Sequence, residues 1–537
     1  MRERKVKSLA IFRCLFKICK MKKLNTWVII YSLILIFSAC SKPDTRTSSL
    51  PHSTPEAEGV SSEQILQFIE AAENSKNEVH SFMFLRHGKV IAEGWWDPYQ
   101  ADLKHTMYST SKSFTSTAVG FAVSEKLLSV DDKVISFFPD QLPGSVSPYL
   151  ADLRVKDLLS MSVGQEPDPT FTVVTRDSNW VKSFFALPIV KKPGTEFLYN
   201  TLATYMVSAI LQKVTGQKVI DYLKPRLFDP LDMEGIDWEI DPMGINVGGW
   251  GLRVKTEDMA KLGQLYLQKG KWNGKQILPE EWIVEATTAT IKDSAPYLEE
   301  NKKKSSDWAQ GYGYQFWRCR HNAFRADGAY GQYIIMMPDQ DAVIVLTSET
   351  PDMQDEINLV WQYLLPAMQP DVLPANDAAL AKLNDKLNAL ALPLATKSTS
   401  PWVEKISGKT FSLATNDKKY DSISFQFTDE QCQVTIKANQ KTYPLSFGSG
   451  KWQVGETTRL GPTLIPAKAH FAGLPNPKVA GSYYWNNEKS LELILRYIES
   501  PHTERMICKF DKDKITIEMQ SSTAPESKSQ PLSGKMK

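Results

Sequence analysis

Cysteine and histidine are scarce in this chain: six Cys and seven His in 537 residues. No Cys-x-x-Cys pair occurs, which excludes a disulfide-built scaffold and the common zinc and dithiol spacings. Beyond the first 40 residues only Cys319, Cys432 and Cys508 remain. Cys432 and Cys508 fall in one C-terminal region and either pair outside the cytoplasm or stand as two separate buried thiols. The histidines (His52, His80, His87, His105, His321, His470, His502) are scattered without ligand spacing, so no metal is expected. Gly-x-Ser-x-Gly, His-Glu-x-x-His and the Walker loop are also missing. Their absence removes the α/β-hydrolase elbow, the zincin helix and nucleotide-phosphate binding, and no cofactor is implied.

What is present is ordinary globular composition, 42% hydrophobic, 23% charged and 10% aromatic. That excludes a disordered, collagen-like or polytopic membrane chain, and the length suits two to four domains. The net charge of +2 is unevenly placed. Residues 1–39 hold nine Lys/Arg and one acid, which leaves 54 basic against 60 acidic residues elsewhere, a balance of −6. Such a body is no nucleic-acid binder, for phosphate contacts need a clustered basic face.

The basic start belongs to an export signal. Lys22 and Lys23 precede an apolar run from Trp27 to Phe37, then Ser38-Ala39-Cys40. The run is of signal length and too short to span a bilayer. The cysteine after two small residues resembles a bacterial lipobox, which makes Cys40 the expected lipidation site. Residues 1–39 are then a signal segment whose start is Met21. The expected location is exported and lipid-anchored to a bacterial membrane, facing periplasm or exterior. Residues 40–60, rich in Ser, Thr and Pro up to Pro55, read as a tether.

Residues 61–370 read as an α+β body, an antiparallel sheet flanked by helices. Ser81–Arg86 and Lys89–Glu93 predict a hairpin around His87-Gly88, and Tyr333–Met337 with Ala342–Thr347 a second one. Ser109–Lys126 is small and apolar and predicts a buried helix. Residues 371–402 read as a linker, within which Ala375–Ala395, rich in Ala, Leu, Asn and Lys, is a helix or linker, and 403–520 read as a small all-β domain. Residues 521–537, Ser/Lys/Pro-rich, predict a disordered tail.

The chain holds a single Ser-x-x-Lys, Ser109-Thr110-Ser111-Lys112. At a helix start this spacing puts both side chains on one face, one turn apart. Burial disfavours the ammonium, so a desolvated Lys112 can shed its proton and activate the Ser109 hydroxyl. His105 is close in sequence to Ser109, but its reading is a loop histidine.

Several segments in order carry a wider likeness: Met107–Thr115, Leu158-Leu159-Ser160-Met161-Ser162, Pro193-Gly194-Thr195 and Tyr199-Asn200-Thr201. Gly251-Leu252-Arg253 with Asp258-Met259-Ala260-Lys261, and Gly328-Ala329-Tyr330-Gly331-Gln332, follow. Through them residues 55–368 resemble the serine beta-lactamase-like family of class C beta-lactamases, D-alanyl-D-alanine carboxypeptidases, family VIII-type esterases and 6-aminohexanoate-dimer hydrolases. The resemblance implies a beta-lactamase/transpeptidase-like fold, Ser109 as the acylated nucleophile, Lys112 as its activator and Tyr199 as general base or proton relay. It also implies an oxyanion hole from the N–H groups of Ser109 and Ala329. The β domain resembles the lipocalin-like barrels attached to some members.

Two positions depart from the family pattern. Tyr-x-Asn reads Tyr199-Asn200-Thr201, so the substrate-holding amide is displaced. The Lys/His-x-Gly strand motif reads Ala326-Asp327-Gly328, so a substrate carboxylate loses its usual cation, with Arg325 the candidate to stand in. Asn200, Thr201, Arg325, Asp327, Gly328 and Tyr330 are the expected substrate-binding residues, and Trp95, Trp96, Trp250 and Tyr330 candidate pocket walls. The expected activity is hydrolysis of a small ester, amide or peptide. Penicillin-binding, carboxypeptidase or beta-lactamase activity, and a non-catalytic sensor on the same fold, are the alternatives.

Overall fold

In the computed structural model, residues 49–526 and 530–537 are described. The segment read as an export signal, and Cys40, lie outside them. Strands β1 (Glu78–Arg86) and β2 (Lys89–Trp95) pair across His87-Gly88, both left-handed at φ 50° and 75°, the backbone that a two-residue hairpin turn requires. Their partners come from the far end of the body: β3 (Trp317–Arg318), β4 (Phe324–Gly328), β5 (Gln332–Met337) and β6 (Ala342–Glu349). Among the described residues these form one antiparallel sheet in the order β2-β1-β6-β5-β4-β3. Successive side chains on a strand face opposite ways. Met83, Leu85, Val343 and Val345 enter one core, while Phe82, Phe84, Ile344 and Leu346 enter another. Burial of each large apolar side chain contributes about 1.5–3 kcal/mol.

Helix α1 (Ser62–Glu73) and residues 353–367 cover the second of these faces. The first is covered by α2 (Ser111–Ser124), α3 (Thr201–Thr215) and α4 (Thr256–Leu267). Helix α2 is buried all round, and Gly120 admits the Trp282 indole where a Cβ would sit 2.5 Å from it.

The tether and the tail differ from the sequence expectation, and of the two readings for residues 375–395 the fold takes the helix. The latter part of the tether is docked: Val90 N–H on β2 donates to Pro51 O at 2.7 Å, Ser53 N–H to Val90 O at 3.0 Å, and Val60 is fully buried. The expected linker holds α5 (Asp377–Asn388), which packs on α1 and β2. Its apolar stripe continues through Leu383, Leu390 and Leu392 into the body's core. The expected disordered tail contains a strand, described next.

The C-terminal region comprises β7 (Lys409–Leu413), β8 (Tyr420–Phe427), β9 (Gln431–Ala438), β10 (Lys441–Ser449), β11 (Gln453–Glu456), β12 (Lys478–Asn487), β13 (Ser490–Tyr497), β14 (Thr503–Asp511), β15 (Lys514–Ser521) and β16 (Leu532–Met536). Order β10-β9-β8-β7-β16-β15-β14-β13-β12 closes on itself through Gly448–Ser449 beside Ser482–Tyr483, and β11 adds to β12. The barrel fold is therefore nine strands plus one, and closure removes the exposed edges of an open sheet. Strand β16 fills the gap between β7 and β15, with Leu532 buried and Gly534 against Ser412 O, where a Cβ would lie 2.8 Å away. Cys432 and Cys508 are free thiols in the barrel core, which selects the unpaired alternative. Body and barrel form one unit, Leu50–Lys537. Among the described residues no helix is long and apolar enough to cross a membrane.

Candidate active site

Residues Tyr108–Thr110 form one tight turn that runs directly into α2. The Ser-x-x-Lys spacing does what its geometry predicts: Lys112 Nζ is 2.9 Å from Ser109 Oγ, and 2.7 Å from Gly249 O. Lys112 is only 1% exposed. Burial pulls its pKa from 10.5 down to about 7, although the Asp168 and Asp327 carboxylates favour the ammonium. Gly249 has no room for a side chain, since a Cβ would meet Thr201 Cγ2 at 2.7 Å.

Tyr199 completes this group. Its ring lies 5.0 Å from Lys112 Nζ, and its phenol hydrogen-bonds with Ser109. Burial first, then the Asp327 charge, pushes the phenol well above its ordinary value. Tyr199 is fixed by its neighbours: Leu198 N–H donates to Met161 O at 2.9 Å, and Trp317 stacks on its ring at 5.7 Å. The next residue, Asn200, caps α3 by accepting from Ala203 N–H at 3.1 Å.

Ser109, Tyr199, Asp327 and Ala329 meet on the wall of a cavity of about 670 Å³. Gly328 brings β4 against the nucleophile turn, where a Cβ would come within 2.2 Å of Met107 O. Gln332 fixes the following turn, donating to Ala329 O at 3.1 Å and Ser348 O at 2.7 Å. Phe197, Leu198, Trp308, Trp317, Pro296, Tyr297 and Met353 give the cavity apolar walls, while Glu166, Lys191 and Glu196 are its charged lining. Lys191 bridges Glu166 and Glu196 at 2.9 and 2.7 Å.

Several expected binding residues lie elsewhere. Arg325 is fully buried behind the wall: its Nε donates to Asp327 Oδ2 at 2.8 Å, Nη1 donates to Asp307 O at 2.7 Å, and Trp308 covers its guanidinium at 4.4 Å. It therefore offers no cation to a bound carboxylate; the group on the cavity wall at this point is the Asp327 carboxylate, its pKa raised by burial against the pull of Arg325 and Lys112. Asn200 and Thr201 are buried in the α3 start and do not line the cavity. Gln165 is at the cavity wall: its Oε1 accepts from Asn200 Nδ2 at 2.8 Å, and its buried Nε2 has no protein acceptor. Trp95, Trp96 and Trp250 pack in the cores, Trp250 donating to Glu239 at 3.0 Å. Tyr330 packs against Tyr108 and His502 rather than lining the cavity. His105 is a buried strand residue 3.1 Å from His80 Nδ1.

Sequence reasoning missed Gln165 and the wall formed by Phe197, Tyr297, Trp308 and Trp317. Gln165 had a faint signal, three residues beyond Ser162 in one of the matching segments. The aromatics had none.

The sequence matches the Beta-lactamase family model over residues 71–366. A 6-aminohexanoate-dimer hydrolase of Paenarthrobacter ureafaciens is 25% identical over 56% of this chain and 79% of its own length. A solved structure of an octameric penicillin-binding protein homologue from Pyrococcus abyssi aligns over 88% of this chain and 99% of its own, at 16% identity and a TM-score of 0.45.

Proposed function

The chain belongs to the beta-lactamase family, and on that premise we propose that it is a serine hydrolase that cleaves esters or small amides through an acyl-enzyme on Ser109. One observation carries the reading: a fully buried Lys112 whose pKa is about 7 touches the Ser109 hydroxyl at 2.9 Å. As a free amine, Lys112 takes the Ser109 proton while Oγ attacks the substrate carbonyl carbon. Backbone N–H groups of Ser109 and Ala329 receive the developing oxyanion. Tyr199, held as a phenol by burial, gives its proton to the departing alkoxide or amine and recovers one from Lys112. Water then enters where the leaving group was, loses a proton to the same pair and releases the acid. Tyr199 thus serves as the relay rather than as the base.

The substrate class follows from the wall. Asp327 presents an acid at the position where the family resemblance calls for a carboxylate-binding strand, and Arg325 is spent behind it. Neutral acyl compounds, or those with an ammonium or N–H group beside the carbonyl, fit that charge. Acyl-D-alanine and penicillin carboxylates do not. Export and lipidation at Cys40 belong to the same proposal and put this hydrolase on the outer side of a bacterial membrane.

The test is intact mass of residues 41–537 after a fluorophosphonate and, separately, a penicillin. The expected result is one adduct on Ser109 from the fluorophosphonate alone, absent in a folded Ser109→Ala protein. A stable penicillin adduct would reverse the carboxylate argument. Full ester turnover by Ser109→Ala would sink the mechanism.

A further inference from the structure

The turn between β13 and β14, residues 498–502, does not stay within the barrel. It lies on the chain segment that leads into the nucleophile. Thr106 donates to Glu499 O through both N–H and Oγ1 at 3.0 Å, and Tyr99 OH donates to Ser500 O at 3.1 Å. Arg253 clamps the same turn, reaching Glu499 Oε2 at 3.0 Å while Asp237 holds its other side at 2.7 Å.

At the tip, His502 is fully buried. Its Nδ1 hydrogen-bonds with Glu349 Oε1 at 2.7 Å, and its Nε2 with the Tyr108 hydroxyl. The ring also stands edge-on to Tyr330, 4.9 Å away at 84°, while the Tyr108 and Tyr330 rings are 5.8 Å apart. Tyr108 and Tyr330 share an uncommon backbone, φ 44° and 65°, in the left-handed region that disfavours a bulky side chain. One immediately precedes Ser109 and the other immediately follows Ala329. The barrel therefore sets one imidazole against both residues that flank the two proposed oxyanion N–H groups.

We infer that His502 is a positioning residue for the oxyanion hole, so that the C-terminal barrel completes the active site of the body. The inference rests on the reading of Ser109 and Ala329 given above. His502 touches neither substrate nor Ser109; it holds the side chains of Tyr108 and Tyr330, and through them the direction of the adjacent N–H groups. An interaction of this kind acts on the tetrahedral state, in which the oxygen moves into the hole, more than on the bound ester.

The experiment uses the chain from residue 41 with His502→Ala, His502→Gln, Tyr108→Phe and the double variant His502→Ala/Tyr108→Phe. Readouts are the melting temperature, the fluorophosphonate adduct on Ser109, kcat and KM for a p-nitrophenyl ester, and affinity for phenylboronic acid, whose serine adduct is tetrahedral. Expected for His502→Ala is a fall in kcat of roughly 10- to 100-fold, with KM within about twofold and boronate affinity lost in parallel with kcat. Gln, which can accept from Tyr108 through its amide oxygen, restores most of the rate. The double variant is no slower than His502→Ala, because both changes remove one interaction. A variant that melts earlier but keeps kcat, a change confined to KM, or additive losses would overturn the inference. Where His502→Ala does not fold, Tyr108→Phe, which deletes only the hydroxyl, carries the same test. A wild-type protein that gives no Ser109 adduct overturns the underlying hydrolase reading as well. A labelled wild type whose His502 variants match it in kcat overturns this inference alone.

Discussion

On the proposed mechanism the titration of Lys112 sets the rate of Ser109 acylation, and its pKa gives the pH profile its shape. Burial lowers that pKa from 10.5 to about 7, a differential of about 5 kcal/mol against the ammonium. Half of the Lys112 population is then free amine at pH 7, against roughly one in 3,000 for an ordinary lysine. The second-order rate of labelling by a neutral fluorophosphonate is expected to climb about tenfold per pH unit below pH 6 and to level above pH 8. Asp327→Asn removes one of the two carboxylates that favour the ammonium, so the climb moves to lower pH and labelling at pH 6 quickens. Lys112→Arg keeps its charge at every pH and is expected to lose at least about 10³ in rate across the range. Tyr199→Phe lowers turnover but leaves the midpoint where it is, since the phenol stays protonated throughout. A climb centred near pH 10, or a midpoint that moves with Tyr199→Phe, would refute the assignment of Lys112 as base.

Three further outcomes follow from the geometry. Gln165→Ala leaves the buried Asn200 Nδ2 without its acceptor and is expected to lower stability by about 1–3 kcal/mol in denaturation; Asn200→Ala is expected to lower stability by about 1 kcal/mol through the lost cap. Gly328→Ala places a methyl 2.2 Å from Met107 O, which parts β4 from the nucleophile turn; a cost of about 1–3 kcal/mol and a sharp loss of kcat are expected from denaturation and ester assays. Burial raises the Glu356 pKa from 4.5 to about 8, so the folded state holds this proton more tightly than the unfolded one. The resulting stability is present in full below pH 4.5 and is lost as pH rises through about 8, a span of about 5 kcal/mol at most. Denaturant midpoints from pH 5 to 7, below the range in which the depressed Lys112 pKa adds stability with rising pH, are expected to fall for the wild type and to fall less in Glu356→Gln, the remainder coming from Glu239, whose pKa burial raises to about 7.

Local spacing made the reacting pair legible. An i, i+3 separation at a helix start is a distance statement, and Ser109 and Lys112 obey it. The two hairpins were legible because short apolar runs bracket the turn residues His87-Gly88 and Pro338-Asp339. Arg325 marks where such reasoning stops. The sequence offered Arg325, beside the Ala326-Asp327-Gly328 motif, as the stand-in cation, and strand parity puts it on the Asp327 face of β4. Parity does not reveal that Trp308, seventeen residues earlier, closes over the guanidinium while Asp327 remains at the cavity. Asn200 was read as a displaced substrate amide, but a residue just ahead of an apolar helical run also has the position of an N-cap, and the cap is what the fold uses.

The domain boundary shows the same limit on a larger scale. A change of composition after residue 370 precedes the β barrel, yet it does not separate two folding units. Leu383, Leu390 and Leu392 complete a body core, and Ile465 and Ala467, from the segment between β11 and β12, complete the other. That segment also joins the body through backbone bonds, Lys468 N–H to Val174 O at 2.7 Å and Ile240 N–H to Ala472 O at 3.0 Å. Tyr108 meets both the Leu464 backbone and His502, two barrel elements nearly forty residues apart in sequence. A body truncated at residue 370 would therefore expose apolar core on both faces of its sheet and leave the Tyr108 hydroxyl, one residue from the nucleophile, without its buried partner. The isolated body is expected to label at Ser109 far more slowly than the intact chain, if it folds to a soluble protein at all. A stable body fragment that labels at the full rate would show that the barrel contacts are dispensable for the nucleophile turn.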